Sequence, residues 1–295
     1  MPELPEVETV RLGLEPILVG RELSRVENRR ADLRFPLPDK FGERLAGETV
    51  VSLTRRAKYL IAELSSGEAL VMHLGMSGRF TVSRSGAVEL IGTYEQNTGA
   101  GAGGKHDHII FHTRDGHIVT YNDPRRFGFM LLVKSASLES HPMFKTLGPE
   151  PLGDDFDAAY LASRAAEKKV NLKSFLMDQR VVAGLGNIYV CEALFRAGLS
   201  PLRAAKSLSA RNGRAHARAG ALVLAVKSVL LDAIKAGGST LKDYRHADGA
   251  SGHYQKAFRV YDRAGERCQR PGCTGVVKRI VQTGRATFYC PKCQK

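Results

Sequence analysis

The 295-residue chain reads as an α+β protein of several domains: an N-terminal helix leading into an antiparallel β-sandwich, then a helical domain, then a short cysteine-bearing β-hairpin tail. Three observations carry this reading. Between residues 49 and 133 short β-branched runs follow one another with tight turns, whereas after residue 152 apolar residues recur at helical spacing. The stretch between, Ser135 to Leu152, lacks periodicity and holds Pro142, Pro149 and Pro151. Four of the five cysteines fall in the last 28 residues. Domains are therefore expected at 1–134, 153–262 and 263–295, with a linker at 135–152.

In chain order, a helix is predicted over residues 5–15. Pro5 suits the first helical position, Glu6 and Glu8 complement the helix dipole, and Val7, Val10 and Leu14 share a face, with Gly13 and Pro16 closing it. Strands are predicted at Thr49 to Thr54, Tyr59 to Leu64, Ala69 to Leu74, His108 to Thr113, His117 to Tyr121 and Phe127 to Val133, with Asp115-Gly116 marking a hairpin. Such short connections favour an antiparallel sandwich over a doubly wound sheet. Residues 97–104 (NTGAGAGG) read as a flexible loop. The clearest helix runs from Ser209 to Ala236, stopped by Gly237-Gly238, and residues 239–258 read as a long polar loop.

The formal charge of +14 and a pI near 9.7 create a field that attracts polyanions, nucleic acid first among them. The longest apolar run, Ala219 to Val226, ends at Lys227 and is too short to span a bilayer. With no signal-peptide character at the acidic N-terminus, a cytoplasmic location, with no membrane partner, is expected.

Cys268-x4-Cys273, sixteen intervening residues and Cys290-x2-Cys293 supply two thiolate pairs at zinc-ligand spacing. Val276 to Val281 and Ala286 to Tyr289 read as strands joined at Thr283-Gly284, a β-hairpin zinc finger with Arg285 at its tip. Four thiolates leave no open coordination position, so one structural Zn²⁺ per chain is expected. From Ala264 to Lys295 seven Lys/Arg face one Glu, a charge of +6 before the metal and +4 with it. Such a tail serves either as a polyanion-binding element or as a stabilising knuckle with an ordinary solvated surface. Cys191, in an apolar helical stretch, reads as core packing.

The chain begins Met-Pro-Glu-Leu-Pro-Glu-Val-Glu. Removal of Met1 would leave a secondary amine at Pro2. An α-amino group has a pKa of about 7.7 to 8.0, so roughly a quarter to two-fifths is unprotonated at pH 7.5, against about 0.1% of a lysine. The start of the following helix would depress that pKa further. Such an amine can attack the C1′ carbon of a nucleotide, and Glu3 beside it could act as a general acid if burial raises its pKa. The competing reading is an inert, frayed terminus.

Eight strings occur in one order: MPELPEVE, RRAKYL at 55–60, HLGMSG at 73–78, KHDH at 105–108, DPRRFG ending at Gly128, LGPEPL at 147–152, GLGNIY at 184–189 and RATFYC at 285–290. Together they resemble the bacterial formamidopyrimidine-DNA glycosylases, which remove 8-oxoguanine and ring-opened purines. The resemblance implies a helix-two-turn-helix in the helical domain, damaged double-stranded DNA as partner, a monomer, and a nucleoid-associated base-excision repair enzyme. It implies Pro2 as Schiff-base nucleophile, Glu3 as general acid, Lys58 as proton donor in β-elimination and Arg285 in δ-elimination. A guanidinium is a poor acid, so phosphate anchoring is the firmer role for Arg285. Met76, Arg125 and Phe127 resemble the trio that fills the gap left by a flipped nucleotide. His106, Arg125 and Lys169 resemble DNA-backbone contacts, and Asn187 opens a helix where bare amides can meet a phosphate.

Taken residue by residue, Lys58 also fits an exposed strand-start lysine, Met76 and Phe127 fit a core, Lys169 a solvated helix face and Asn187 a plain helix joint. The segment from Ser83 to Gly104 is longer than the family pattern, and GGSTLKDY alone ties residues 239–258 to a lesion-capping loop, with no base-reading residue assigned. Two other functions compete. An endonuclease VIII type enzyme for oxidised pyrimidines is one, although its MPEGPE start contrasts with Leu4 here. A non-catalytic DNA-binding module on the same scaffold is the other.

Overall fold

Glu3, Pro5 and Glu6 start the first helix. The computed structural model, which describes residues 2–84, the backbone of 87–91, and residues 104–210, 214–239 and 254–295, places α1 at Leu4–Leu18. Glu3 is its extended N-cap, and Glu3 and Glu6 form a reciprocal capping box. The helix runs past Pro16, its end as predicted from sequence, to Leu18. A proline in the last turn costs the hydrogen bond to the carbonyl of Leu12, and Leu12 is exposed, so water can take that carbonyl. Met1, residues 97–103 of the glycine-bearing stretch and residues 240–253 of the long polar stretch lie outside the described residues.

Contacts divide the chain into two units, Met1–Lys145 with Ile234–Gln255, and Thr146–Ala233 with Lys256–Lys295. The first unit contains strands β1 (Leu23–Asn28), β2 (Val50–Arg56), β3 (Tyr59–Leu64), β4 (Glu68–His73), β5 (Arg79–Arg84), β6 (Ala87–Ile91), β7 (Asp107–Thr113), β8 (His117–Asn122) and β9 (Phe129–Lys134), with the short helix α2 (Phe41–Leu45) between β1 and β2. They form two antiparallel sheets, of order β1-β7-β8-β5-β6 and β2-β3-β4-β9. One core is shared by α1 and both sheets: Val7, Val10 and Leu14 pack with Leu53, Leu60 and Met72 of one sheet and Phe80, Ile109 and Tyr121 of the other. The expected strands are all present, displaced by at most two residues. Strands β1, β5 and β6 are additional.

In the second unit, α3 (Ala158–Ala165) is capped by Asp157 and α4 (Leu172–Met177) by Asn171, each side chain accepting a backbone N–H. Two turns then lead to α5 (Asn187–Arg196). Gln179 braces them, its Nε2 donating to the Leu185 carbonyl and its Oε1 accepting from Gly184 N–H, both at 2.8 Å. The long helix α6 is Ala217–Lys235, eight residues shorter at its start than expected. Before it, Ala210 N–H donates to the Arg214 carbonyl and His216 N–H to the Leu208 carbonyl. In the tail, β10 (Lys278–Gln282) and β11 (Arg285–Tyr289) are joined by Thr283 and Gly284, whose φ of 50° and 73° fit a type I′ turn. Among the described residues no helix is long and apolar enough to cross a membrane.

Glu192 of α5 is 3% exposed and accepts three backbone N–H groups, from Arg259 (2.9 Å), Val260 (3.0 Å) and Tyr261 (2.8 Å). Burial pushes its pKa up, against the pull of those amides. Glu192→Gln turns one acceptor toward the amides into a donor, so unfolding free energy should fall by about 2 kcal/mol. Urea unfolding and amide exchange check this: exchange should accelerate at Arg259, and unchanged stability would contradict the clamp.

Candidate active site

The N-terminal corner is buried. Pro2 is buried, Glu3 is 3% exposed and Glu6 2%. Glu6 holds the corner: its Oε2 accepts Glu3 N–H at 2.8 Å, and its Oε1 accepts both the N–H and the hydroxyl of Ser239, at 2.8 and 3.0 Å. The approach is close enough that a Cβ on Gly238, which has φ 84°, would lie 3.0 Å from Glu6 Oε1. From sequence, Glu6 is expected only to complement the helix dipole. Its position, three residues after an N-cap, was the available signal for the capping box.

Lys58 sits in the β2–β3 turn and is largely buried. Next to the turn, Tyr59, His73 and Phe129 form an aromatic cluster in which the His73 ring stacks on Phe129 with centroids 5.1 Å apart. Burial, reinforced by the positive charges of Lys58 and Arg34, pushes the His73 pKa down to about 4. The ring is neutral, and its Nδ1 accepts Gly75 N–H at 3.0 Å.

Asp123, with no exposed surface, ties two loops together. One oxygen accepts the Ser77 hydroxyl and the other accepts Gly128 N–H at 2.8 Å and the Tyr121 hydroxyl at 3.3 Å. His108 Nε2 meets the Asp123 carbonyl at 2.9 Å, and Arg125 N–H donates to Ser77 Oγ at 3.1 Å. The loops meet so closely that a Cβ on Gly75 would lie 2.2 Å from the Phe127 carbonyl carbon, and one on Gly128 would lie 1.9 Å from the Tyr121 hydroxyl. Only glycine fits at either position. The result gathers Met76, half-buried, with Arg125 and Phe127, both exposed, and the Arg125 guanidinium lies 4.9 Å from the centre of the Phe127 ring. His106, half-buried, lends its carbonyl to Asp123 N–H.

In the second unit, Arg285 is exposed beside the hairpin turn, and the next carbonyl, Ala286, is gripped from two sides. Lys173, 1% exposed, donates to it at 3.0 Å and to Thr287 Oγ1 at 2.7 Å, while Asn187 Nδ2 donates to it at 3.0 Å. Lys173 was not singled out by sequence, because a lysine in a helix start carries no local sign of burial. Lys169 is exposed.

The Sγ atoms of Cys268, Cys273, Cys290 and Cys293 lie within 4.8 Å of one another, so the four residues could hold a metal ion. Cys268 and Cys293, and likewise Cys273 and Cys290, are 3.7 Å apart. A tetrahedron with metal–sulfur bonds of about 2.3 Å needs sulfurs about 3.8 Å apart, which these pairs meet. Arg270 N–H and Gly275 N–H point at Cys268 and Cys273 sulfur, and a Cβ on Gly275 would lie 2.6 Å from Cys290 Sγ.

Residues 1–130 match the family model of the formamidopyrimidine-DNA glycosylase N-terminal domain, and residues 147–245 that of the formamidopyrimidine-DNA glycosylase H2TH domain. The chain belongs to the formamidopyrimidine-DNA glycosylase family. Curated formamidopyrimidine-DNA glycosylases of Bradyrhizobium sp. (strain BTAi1) and Rhodopseudomonas palustris (strain BisA53) are 55% and 56% identical to it over the whole of both chains. The Lactococcus lactis Fpg in complex with abasic-site DNA has the same fold, with TM-score 0.84, 31% identity and full coverage of both chains. A Lactococcus lactis variant bound to Fapy-dG-containing DNA aligns equally well, with TM-score 0.84 and 32% identity. The antiparallel sheets, the H2TH segment around α4 and α5 and the four-cysteine hairpin are this family's architecture.

Within this family member, the residues singled out by sequence fall into groups. Pro2 and Glu3 share the buried corner, Met76, Arg125 and Phe127 share the paired loops, and Asn187 and Arg285 flank Ala286. The buried His73 is open to a direct check. An unfolded histidine takes up a proton near pH 6.5 and the folded one only near 4, so acidification through that window favours unfolding. Relative to wild type, His73→Gln should gain about 3 kcal/mol of stability between pH 7 and pH 4. Urea titrations at both pH values measure it, and a constant difference would contradict a neutral buried ring.

Proposed function

We propose that the chain is a bifunctional glycosylase and lyase of base-excision repair, excising oxidised purines from double-stranded DNA with the amine of Pro2 as nucleophile. The observation that carries this is the burial of the N-terminal corner, since a terminus with no task frays. Here Pro2 is buried beside Glu3, and Glu6 fixes the Glu3 amide.

In this reading the Pro2 nitrogen attacks C1′, the bond to the base breaks, and the departing base takes a proton supplied through Glu3. Opening of the sugar ring leaves an iminium, which acidifies the C2′ hydrogen. Loss of that proton breaks the C3′–O bond and releases the 3′-side phosphate. A second elimination releases the 5′-side phosphate. Lys58 serves proton transfer in the first elimination, and Arg285 anchors a phosphate. Met76, Phe127 and Arg125 occupy the gap in the duplex, while His106, Lys169 and Asn187 contact the backbone. The four cysteines hold one structural zinc ion, which rigidifies the hairpin bearing Arg285. Leu4 and the named relatives favour oxidised purines over the pyrimidine lesions of endonuclease VIII type enzymes.

Two experiments test this. Protein with Met1 removed should cleave a duplex containing 8-oxoguanine and be trapped by borohydride, whereas protein acetylated at residue 2 should do neither while keeping salt-sensitive DNA binding. Equal cleavage by both would refute the amine's role. Separately, native mass spectrometry should show one zinc per chain, and Cys290→Ser should lose the metal and bind DNA at least about tenfold more weakly. Full binding without metal would remove the hairpin from the interface.

A further inference from the structure

The turn that carries Lys58 consists of two residues, Ala57 and Lys58, closed by the Arg56–Tyr59 pair of β2 and β3. Ala57 has φ 54° and is 1% exposed. Hairpins favour glycine where φ is positive, and an alanine persists there only when its surroundings hold it. Arg55 supplies the hold. Its Nη1 donates to the Ala57 carbonyl at 2.9 Å, and its Nε pairs with Glu8 Oε2 of α1 at 2.9 Å. The other Glu8 oxygen takes Arg11 Nε at 2.9 Å, and Arg11 Nη1 reaches the Leu53 carbonyl of β2 at 3.3 Å. The Arg55 and Glu8 side chains are only 10% and 17% exposed, so solvent does little to screen or loosen the pair. One arginine thereby joins the helix that starts at the N-terminal corner to the turn that presents Lys58.

We propose that Glu8 and Arg55 are positioning residues for the strand-cleaving half of the reaction, fixing the Ala57-Lys58 turn against α1 so that the Lys58 ammonium meets its proton-transfer partner. This rests on the reading of Pro2 as nucleophile and Lys58 as proton-transfer group. The need for such a device follows from the chemistry: proton transfer works over a heavy-atom distance of about 3 Å, and a misplacement of about 1 Å costs up to roughly a hundredfold in rate.

The test uses full-length protein in single turnover on DNA with a preformed abasic site, recording strand cleavage and borohydride-trapped imine in parallel. Arg55→Met should slow cleavage about tenfold while trapped imine holds or rises, because imine formation does not need Lys58. Adding Ala57→Gly to Arg55→Met should recover at least about half of the lost rate, since glycine takes positive φ unaided. Glu8→Gln, which keeps the volume, should show the same pattern more weakly and stands in if Arg55→Met does not fold. A fall in trapping and cleavage together, or folded Arg55→Met that Ala57→Gly does not rescue, overturns the proposal. Lys58→Met that leaves the cleavage-to-trapping ratio unchanged also overturns it, leaving Arg55 nothing to position. Wild-type protein that forms no imine refutes the underlying reading instead, and the positioning proposal with it.

Discussion

The Glu6 carboxylate is the contact on which the placement of Pro2 and Glu3 depends. Chain termini are ordinarily the least ordered part of a domain, and a nucleophile placed there is useful only if something removes that freedom. Glu6 does so by spending one oxygen on the Glu3 amide and the other on Ser239. A carboxylate 2% exposed is costly unless its lone pairs are satisfied, and three donors do this. The same carboxylate therefore links the first residues of the chain to the segment that begins at Gly238, more than two hundred residues later in sequence.

A second theme recurs beyond that corner: the groups proposed here to react or to face DNA sit next to a backbone group held by a charged side chain. Arg55 grips the carbonyl before Lys58, Lys173 grips the carbonyl after Arg285, and Asp123 holds the loops that present Met76, Arg125 and Phe127. Hydrogen bonds to charged groups are stronger than neutral ones, and inside a fold they are poorly screened. Exposed side chains such as Arg285 and Phe127 thus stand on rigid mounts although they face solvent themselves. Gly75 and Gly128 belong to the same design, because the loops could not approach with a Cβ at either position.

Much of this was legible in sequence where the signal is local. The Val7, Val10, Leu14 stripe marks α1, Tyr59 to Leu64 is a strand as read, Thr283-Gly284 forms the turn, and the cysteine spacing yields four converging sulfurs. What escaped depends on partners far along the chain. Strand β1 is bulged between Leu23 and Arg25, so its burial does not alternate. Helix α6 begins late because residues 205–208 form a short 3-10 turn, and Ala210 and His216 bond through their backbones to Arg214 and Leu208, which no side-chain pattern announces. Lys173, Glu192 and Asp123 are charged residues that local reasoning places in solvent, whereas Thr287, Tyr261 and Ser77 bring them inside. The candidate site residues were nameable through motif order, but the groups that hold them were not.

The most direct measurement is peptide mapping of the borohydride-reduced complex formed with abasic-site DNA. Tandem mass spectrometry should place the sugar remnant on the nitrogen of residue 2, in a peptide that begins Pro2-Glu3-Leu4. A remnant on a lysine side chain, Lys58 included, with the residue 2 amine unmodified, would contradict the account.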